Sequence, residues 1–257
     1  MRRNDLKNII ITGGPTNEYI DEVMKITNMS TGSLSLSLTH QFVKKGYRVT
    51  FVVNRNVRRE ELAKYQEDGS LVIHPVETTE EMLNSLEALS RNGTSYGLVL
   101  HAAAVGDYKA DFTFLMDDLA HQLYMGFKEG DFNDEGQILT FLKNGSYRID
   151  NQSKISSYQD TLTVKLGLTP KIIKNLRSWF PQSLLVGCKL LDKVTKEELF
   201  EVAQHLAIKN NMDYILANDL NDLRGGKASR YLVDSKGYIG IELKSTQEIC
   251  DYIHQKI

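Results

Sequence analysis

The feature that most constrains this chain is the alternation of short, continuously apolar runs with longer segments of helical periodicity. Runs of strand length occur at 8–12 (NIIIT), 48–53 (RVTFVV), 71–74 (LVIH), 97–101 (GLVLH), 184–187 (LLVG) and 214–217 (YILA). They lack the polar alternation of a half-exposed strand, so each must be buried on both faces. Helical patterns at 79–90, 170–179 and 195–209 lie between them. This order predicts an α/β fold, a parallel sheet covered by helices on both sides. The stretch 33–38 (SLSLSL) is ambiguous. Strict alternation reads as strand, whereas Leu34, Leu38 and Phe42 at four-residue spacing read as helix with Gly46 as its stop. A right-handed crossover between the first two strands requires a helix there.

Two regions depart from the alternation. Residues 111–151 are charged, punctuated by Gly and Asn, and carry scattered aromatics; a stretch this long is expected to be functional or to hold structure of its own. Its Phe112, Phe114, Leu115 and Met116 suit either a subunit contact or a small local core. Beyond Asp219, segments 229–234 and 238–243 flank Ser235-Lys236-Gly237 as a β-hairpin, and 246–256 reads as a closing helix. The expectation is one domain over 1–257, with 111–157 as an inserted dimerisation or flap segment.

With 257 residues and a net charge of -2, the chain has no general basic field for nucleic acid. No apolar run approaches the length of a membrane span. Cys188 and Cys250 are the only cysteines, too few for a disulfide framework, which suits a reducing cytoplasm.

In sheets of this kind ligands sit beyond the carboxyl ends of the strands. Four segments should therefore meet on one edge: Gly13-Gly14-Pro15-Thr16 with the later Asn28-Met29-Ser30-Thr31-Gly32, His101 to Tyr108, Gly187 to Leu191, and Ala217-Asn218-Asp219-Leu220. Their small residues admit a flat base or sugar, and helix starts there favour phosphate. Taken singly, Gly13-Gly14 is a tight turn and Ala102-Ala103-Ala104 close packing. Lys154, in Ser153-Lys154-Ile155-Ser156-Ser157, is a cation suited to closing on phosphates.

Seven of these motifs, in order over about residues 9–220, resemble the phosphopantothenate–cysteine ligase family: ITGGPTNE from Ile11, ITNMSTG from Ile26, AAAVGDY from Ala102, KISS from Lys154, TPKII from Thr169, VGCKLL from Val186 and ANDL from Ala217. The KISS and GCKLL forms are similar to the stand-alone ligases of streptococci and relatives. The resemblance implies a Rossmann-like fold and a homodimer. It implies activation of the 4'-phosphopantothenate carboxylate by CTP, or by ATP, with Mg²⁺ on the phosphates, then attack by the amine of L-cysteine. It implies that Asn28 holds the acyl carbonyl and that Lys154 is the mobile-loop lysine. Gly13, Gly14, Ser30, Thr31, Gly32, Ala103, Ala104 and Lys25 would line the substrate site. Ala102, Asp107, Gly187, Cys188, Lys189, Asn218 and either Lys209 or Asn210 would line the nucleotide site, with Asp107 also nearest the metal.

Three departures mark this chain. Met24 stands where the family usually has a phosphate-binding Arg, leaving Lys25, or Ser30, Thr31 and the helix start, to anchor phosphate. Gly32-Ser33 replaces the common Gly-Lys, and Cys188 replaces a common Phe. The rival readings are a nicotinamide-dependent reductase and a non-catalytic homologue. The first lacks a third glycine before Gly32 and has Asn54-Arg55 where an acidic ribose anchor belongs.

Overall fold

The computed structural model describes residues 7–150, 154–227, 229–236 and 240–257. Ser153 of the lysine motif and Gly237-Tyr238 of the expected hairpin turn lie outside them.

In chain order the elements are β1 (Asn8–Gly13), β2 (Asn17–Tyr19), β3 (Lys25–Thr27), α1 (Ser33–Lys44), β4 (Arg48–Asn54), α2 (Ala63–Glu67), β5 (Leu71–Val76), α3 (Thr79–Ser90), β6 (Leu98–His101) and β7 (Tyr108–Leu115). There follow α4 (Met116–Glu129), α5 (Glu135–Asn144), β8 (Arg148–Ile149), β9 (Leu162–Leu168), α6 (Leu176–Trp179), β10 (Leu184–Leu191), α7 (Lys196–Lys209), β11 (Tyr214–Asp219), α8 (Leu220–Arg224), β12 (Arg230–Asp234), β13 (Ile241–Leu243) and α9 (Thr246–His254).

The chain divides into two compact units. The larger takes the described residues up to Thr16, Asn28–Val105 and Pro170–Ile257; the smaller takes Asn17–Thr27 and Gly106–Thr169.

The larger unit is the expected Rossmann-like α/β fold. Its eight strands run β13-β12-β11-β10-β6-β1-β4-β5. Pairings are parallel from β5 through β11, and β12 and β13 add antiparallel at the edge. The apolar runs are continuous because neighbouring residues enter different cores. Ile9, Ile11, Phe51, Val53, Leu98 and Leu100 pack with Leu38 and Phe42 of α1 and Ile249 and Ile253 of α9. Ile10, Val52, Val99 and Ile215 pack with Met82 and Leu86 of α3 and Leu199 and Ala203 of α7 on the other face. The segment at 33–38 is helical, and Gly46 follows its end at φ 84°.

Side-chain caps start α3, α7 and α9, where Thr78, Thr195 and Ser245 accept from the amides of Glu81, Glu198 and Glu248. The expected helix at 170–179 is a 3₁₀ turn (Ile172–Lys174) followed by the one-turn α6. At the break, the Asn175 carbonyl accepts from the Ser178 hydroxyl at 2.8 Å as well as from the Trp179 amide, the local competition that keeps Ser out of helix interiors.

The smaller unit gives the irregular stretch its own structure. β8, β7 and β9 form an antiparallel sheet, and β2 and β3 form a hairpin. Phe112, Phe114 and Tyr147 are its core, with Leu119, Phe141 and Leu142 packed on them. The Phe114 and Tyr147 rings meet edge-on at 4.9 Å. Of the two expectations for Phe112 and Phe114, the local core is the one realised.

Candidate functional site

A doubly wound sheet opens where successive connections leave in opposite directions. Here that point lies between β1 and β6, because the chain reaches β5 by way of β4 and then returns to β6 on the other side of β1. The loops leaving these two strands are bonded to each other. Ala104 donates to the Gly14 carbonyl at 2.9 Å, Thr16 donates to the Ala104 carbonyl at 3.3 Å, and Pro15 bridges Ala104.

Asn28 joins the same knot from 76 positions away. Its side-chain amide donates to the carbonyls of Ala104 at 3.1 Å and Val105 at 3.2 Å. Asn28 itself is exposed. To receive an acyl carbonyl it must exchange one of these bonds, so the residue orders the Ala102–Ala104 loop before it meets any ligand.

The glycines are present for the protein as much as for a ligand. A Cβ on Gly13 would lie 2.6 Å from Ser35 Cβ and 2.9 Å from Phe51. Gly14, at φ 76°, and Gly32, at φ 75°, both close on Val57, and a Cβ on Gly32 would lie 3.3 Å from the Gly14 backbone. These residues offer a ligand backbone groups rather than empty side-chain space. Gly32 is also the N-cap of α1 and supplies no side-chain cap, and the first turn has no acid. Ser30 and Thr31 receive the Gly32 and Ser33 amides at 3.4 Å each, long bonds that an anion competes with readily.

At the ends of β1 and β6, Ala103 donates to Thr12 Oγ1 at 3.1 Å, and the Thr12 hydroxyl lies 2.8 Å from His101 Nδ1. Burial lowers the His101 pKa to about 4, so the imidazole is neutral and shares a single proton with the Thr12 hydroxyl across this contact.

On β10, Gly187 lets Ile215 and Ile173 pack close, since a Cβ there would lie 2.8 and 3.3 Å from their methyl carbons. Cys188 is half-buried, and desolvation pushes its thiol up to about 12, which makes it a small apolar neighbour instead of a nucleophile. Lys189 pairs in register with Ala217, beside Asn218 on β11. Asp219 is a scaffold residue. Its carboxylate accepts from Val194 at 3.1 Å and from Asn221 and Asp222 at 2.7 and 3.3 Å, tying the turn after β10 to the start of α8. The Val194 bond first, then the others, holds its pKa below the usual value.

Lys209 and Asn210 do not join this edge. They end α7, which runs antiparallel to the strands, so they sit at the amino end of the sheet, where Asp213 donates to Leu185. A helix of 14 residues is roughly 20 Å long, which sets the distance to the carboxyl edge. Asn210 is buried with its amide on the Leu206 carbonyl. Nearby, Arg177 bonds Asp213, Asn211 and Ser183, so this end serves stability.

Lys154, Lys25 and Asp107 belong to the smaller unit and are exposed there. Among the described residues no three His, Cys, Asp or Glu side chains gather as a metal site. At the end of β4, Asn54 accepts from Asn56, and Arg55 pairs with Glu77 and Glu81, so the acidic ribose anchor of a nicotinamide enzyme is replaced by a closed ionic group.

Strand order thus defines a Rossmann-like α/β protein with its topological switch point between β1 and β6. Residues 5–114 match the family of the DNA/pantothenate metabolism flavoprotein C-terminal domain. The chain is 27% identical over 216 residues to the coenzyme A biosynthesis bifunctional protein CoaBC of Thermococcus kodakarensis, covering 83% of this chain and 41% of the relative. It spans about two-fifths of the length of the curated relatives it matches. Among solved structures it is similar to the DNA/pantothenate metabolism flavoprotein from Streptococcus pneumoniae, with a TM-score of 0.77, 26% identity and 97% of both chains covered. It also shares the fold of the Cab2 mutant H337A in complex with phosphopantothenate-cysteine, with a TM-score of 0.67, 18% identity and coverage of 99% of this chain and 88% of that one. The resemblance to the phosphopantothenate–cysteine ligases is borne out by these likenesses.

Proposed function

We propose that this chain joins 4'-phosphopantothenate to L-cysteine as the ligase step of coenzyme A biosynthesis. The carboxylate oxygen attacks the α-phosphorus of a nucleoside triphosphate, CTP in preference to ATP, and pyrophosphate leaves. The cysteine amine then attacks the acyl carbonyl, the nucleoside monophosphate departs, and an amide forms. A carboxylate is a poor electrophile and an acyl phosphate anhydride a good one, so the protein's task is positioning and charge stabilisation.

The observation that carries the reading is the bonding of Asn28 to the Ala104 and Val105 carbonyls, which joins two of the motifs of the resemblance. In this reading Asn28 gives up one carbonyl to hold the acyl oxygen. Ser30, Thr31 and the uncapped start of α1 bind the substrate phosphate, with Lys25 assisting in place of the usual Arg. Gly13, Gly14 and Ala103 shape the pantothenate path. Ala102, Gly187, Cys188, Lys189 and Asn218 receive the nucleotide, and Lys154 neutralises the departing pyrophosphate. One carboxylate, here Asp107, together with phosphate oxygens is the donor set Mg²⁺ takes in nucleotide sites, and the ion would supply charge neutralisation. The reading includes a homodimer in the cytoplasm, a compartment that two free thiols suit.

The test is release of pyrophosphate by the purified protein with phosphopantothenate, cysteine and each nucleotide in turn. Lys154→Gln is expected to fold normally and lose on the order of a hundredfold in turnover. Asn28→Asp, which sets a carboxylate against two carbonyls, is expected to lose the loop order and the activity together. Near-normal turnover in Lys154→Gln removes that residue from the mechanism. Nucleotide binding without pyrophosphate release would favour a non-catalytic homologue.

A further inference from the structure

The β2–β3 turn and the lysine segment are 134 positions apart, yet one side chain holds both. Asp21 is 4% exposed. Its Oδ1 accepts from the Val23 and Met24 amides at 2.7 and 2.6 Å, a local turn of a kind Asp favours. Its Oδ2 accepts from the amide of Ile155 at 2.9 Å. Ile155 is buried at 7% exposure, and its neighbour Lys154 is exposed. All of these residues lie in the smaller unit.

A residue that only capped the turn would need one oxygen. Asp21 commits the second to the residue after Lys154. That fixes the backbone of the lysine segment at Ile155, next to the exposed Lys154. It also ties this point to the turn carrying Met24 and Lys25, where the phosphate-binding Arg of the resembled family is missing. We infer that Asp21 is a positioning residue, whose single carboxylate holds the Lys154 segment and the β2–β3 turn in a fixed relation. The inference rests on the reading of Lys154 as the cation that meets pyrophosphate. The Met24 and Ile155 amides, in that order, lower the Asp21 pKa, so the acceptor on both sides stays ionised at neutral pH.

Asp21→Asn separates the two duties. An amide keeps the two turn bonds through its oxygen and then presents an N–H to the Ile155 N–H. Asp21→Ser keeps a weaker turn and does not reach Ile155; it serves should the Asn variant fold poorly. Two readouts are made on the full chain, Ile155 amide exchange and steady-state turnover. Exchange at Ile155 should accelerate in both Asp21 variants and stay at the wild-type rate in Lys154→Gln. Turnover should fall roughly ten- to a hundredfold in Asp21→Asn, chiefly in kcat, as expected for a misplaced charge. In the Lys154→Gln background, Asp21→Asn should cost nothing further. Unchanged Ile155 exchange in both Asp21 variants would overturn the inference whatever the activity. A loss that multiplies fully onto Lys154→Gln would overturn it too, by showing that Asp21 acts elsewhere. If the wild type proves inactive, the ligase reading fails, while the exchange experiment still decides whether the brace exists.

Discussion

Gly13→Ala tests the packing of α1 against the end of β1. A Cβ at this position would come within 2.6 Å of Ser35 Cβ and 2.9 Å of Phe51 Cε2, where ordinary contact begins near 3.4 Å. Ser35 is 1% exposed and Phe51 is fully buried. The Ser35 hydroxyl is nearer still to the new methyl, and it can turn away only by giving up its 2.7 Å bond to the Gly32 carbonyl, worth about 1 kcal/mol. Ser35 Cβ cannot turn away, because it is fixed to the α1 backbone. The helix must therefore lift from the sheet, at an overpacking cost of about 3 kcal/mol. The sum of about 4 kcal/mol corresponds to a fall in Tm of roughly 10 °C for a chain of this size. Denaturant titration followed by circular dichroism measures it. Ser35→Gly alone should cost about 1.5 kcal/mol, from the lost bond and a poorer helix residue. Added to Gly13→Ala it removes the Ser35 obstacle but leaves the 2.9 Å approach to Phe51, so about half of the Gly13→Ala cost is recovered and the double variant should be about 2 kcal/mol more stable than additivity requires. A Gly13→Ala protein within 0.5 kcal/mol of wild type, or strict additivity in the double variant, would refute the argument.

Two further outcomes follow from the same edge. His101 has a folded pKa lowered to about 4 by burial, against about 6.5 unfolded, so the unfolded chain takes up the proton first. Its contribution, about 3 kcal/mol at most, is complete above pH 6.5 and is lost as pH falls toward 4; His101→Gln should flatten that part of the stability–pH curve, and an unchanged slope would contradict the buried, neutral imidazole. Asp219→Ala should release the turn after β10, where Lys193 sits at φ 55°, and expose 192–195 to limited proteolysis while the midpoint of global unfolding moves little. Cleavage at the wild-type rate would mean that Asp219 does not hold that turn.

Of the motifs that carry the resemblance, those around β1, β6, β10 and β11 lie at or beside the carboxyl ends of sheet strands, and the one at Lys154 lies in the smaller unit. Asn28 and Ala102–Ala104 were legible as a pair because each follows a strand-end signal and the two strands are neighbours. Lys209 and Asn210 entered through the resemblance, and only the sheet topology shows that they end α7 at the amino side of the strands. Asp21 was passed over, although an Asp two and three residues ahead of the amides it bonds is a turn signal; its tie to Ile155 has no signature in either segment.

What the sequence determined by itself was the layered sheet. Runs such as NIIIT and RVTFVV have no polar side, so only a strand buried on both faces accommodates them, and the handedness of crossovers then requires the helix at 33–44. Burial is written locally, residue by residue. What the tertiary structure decided was pairing across distance. The sheet formed by β7 and β9, the second unit it belongs to, and the carboxylate linking 21 to 155 all join segments whose local patterns are ordinary; they exist because closing those loops buries Phe112, Phe114 and Tyr147 and satisfies buried amides.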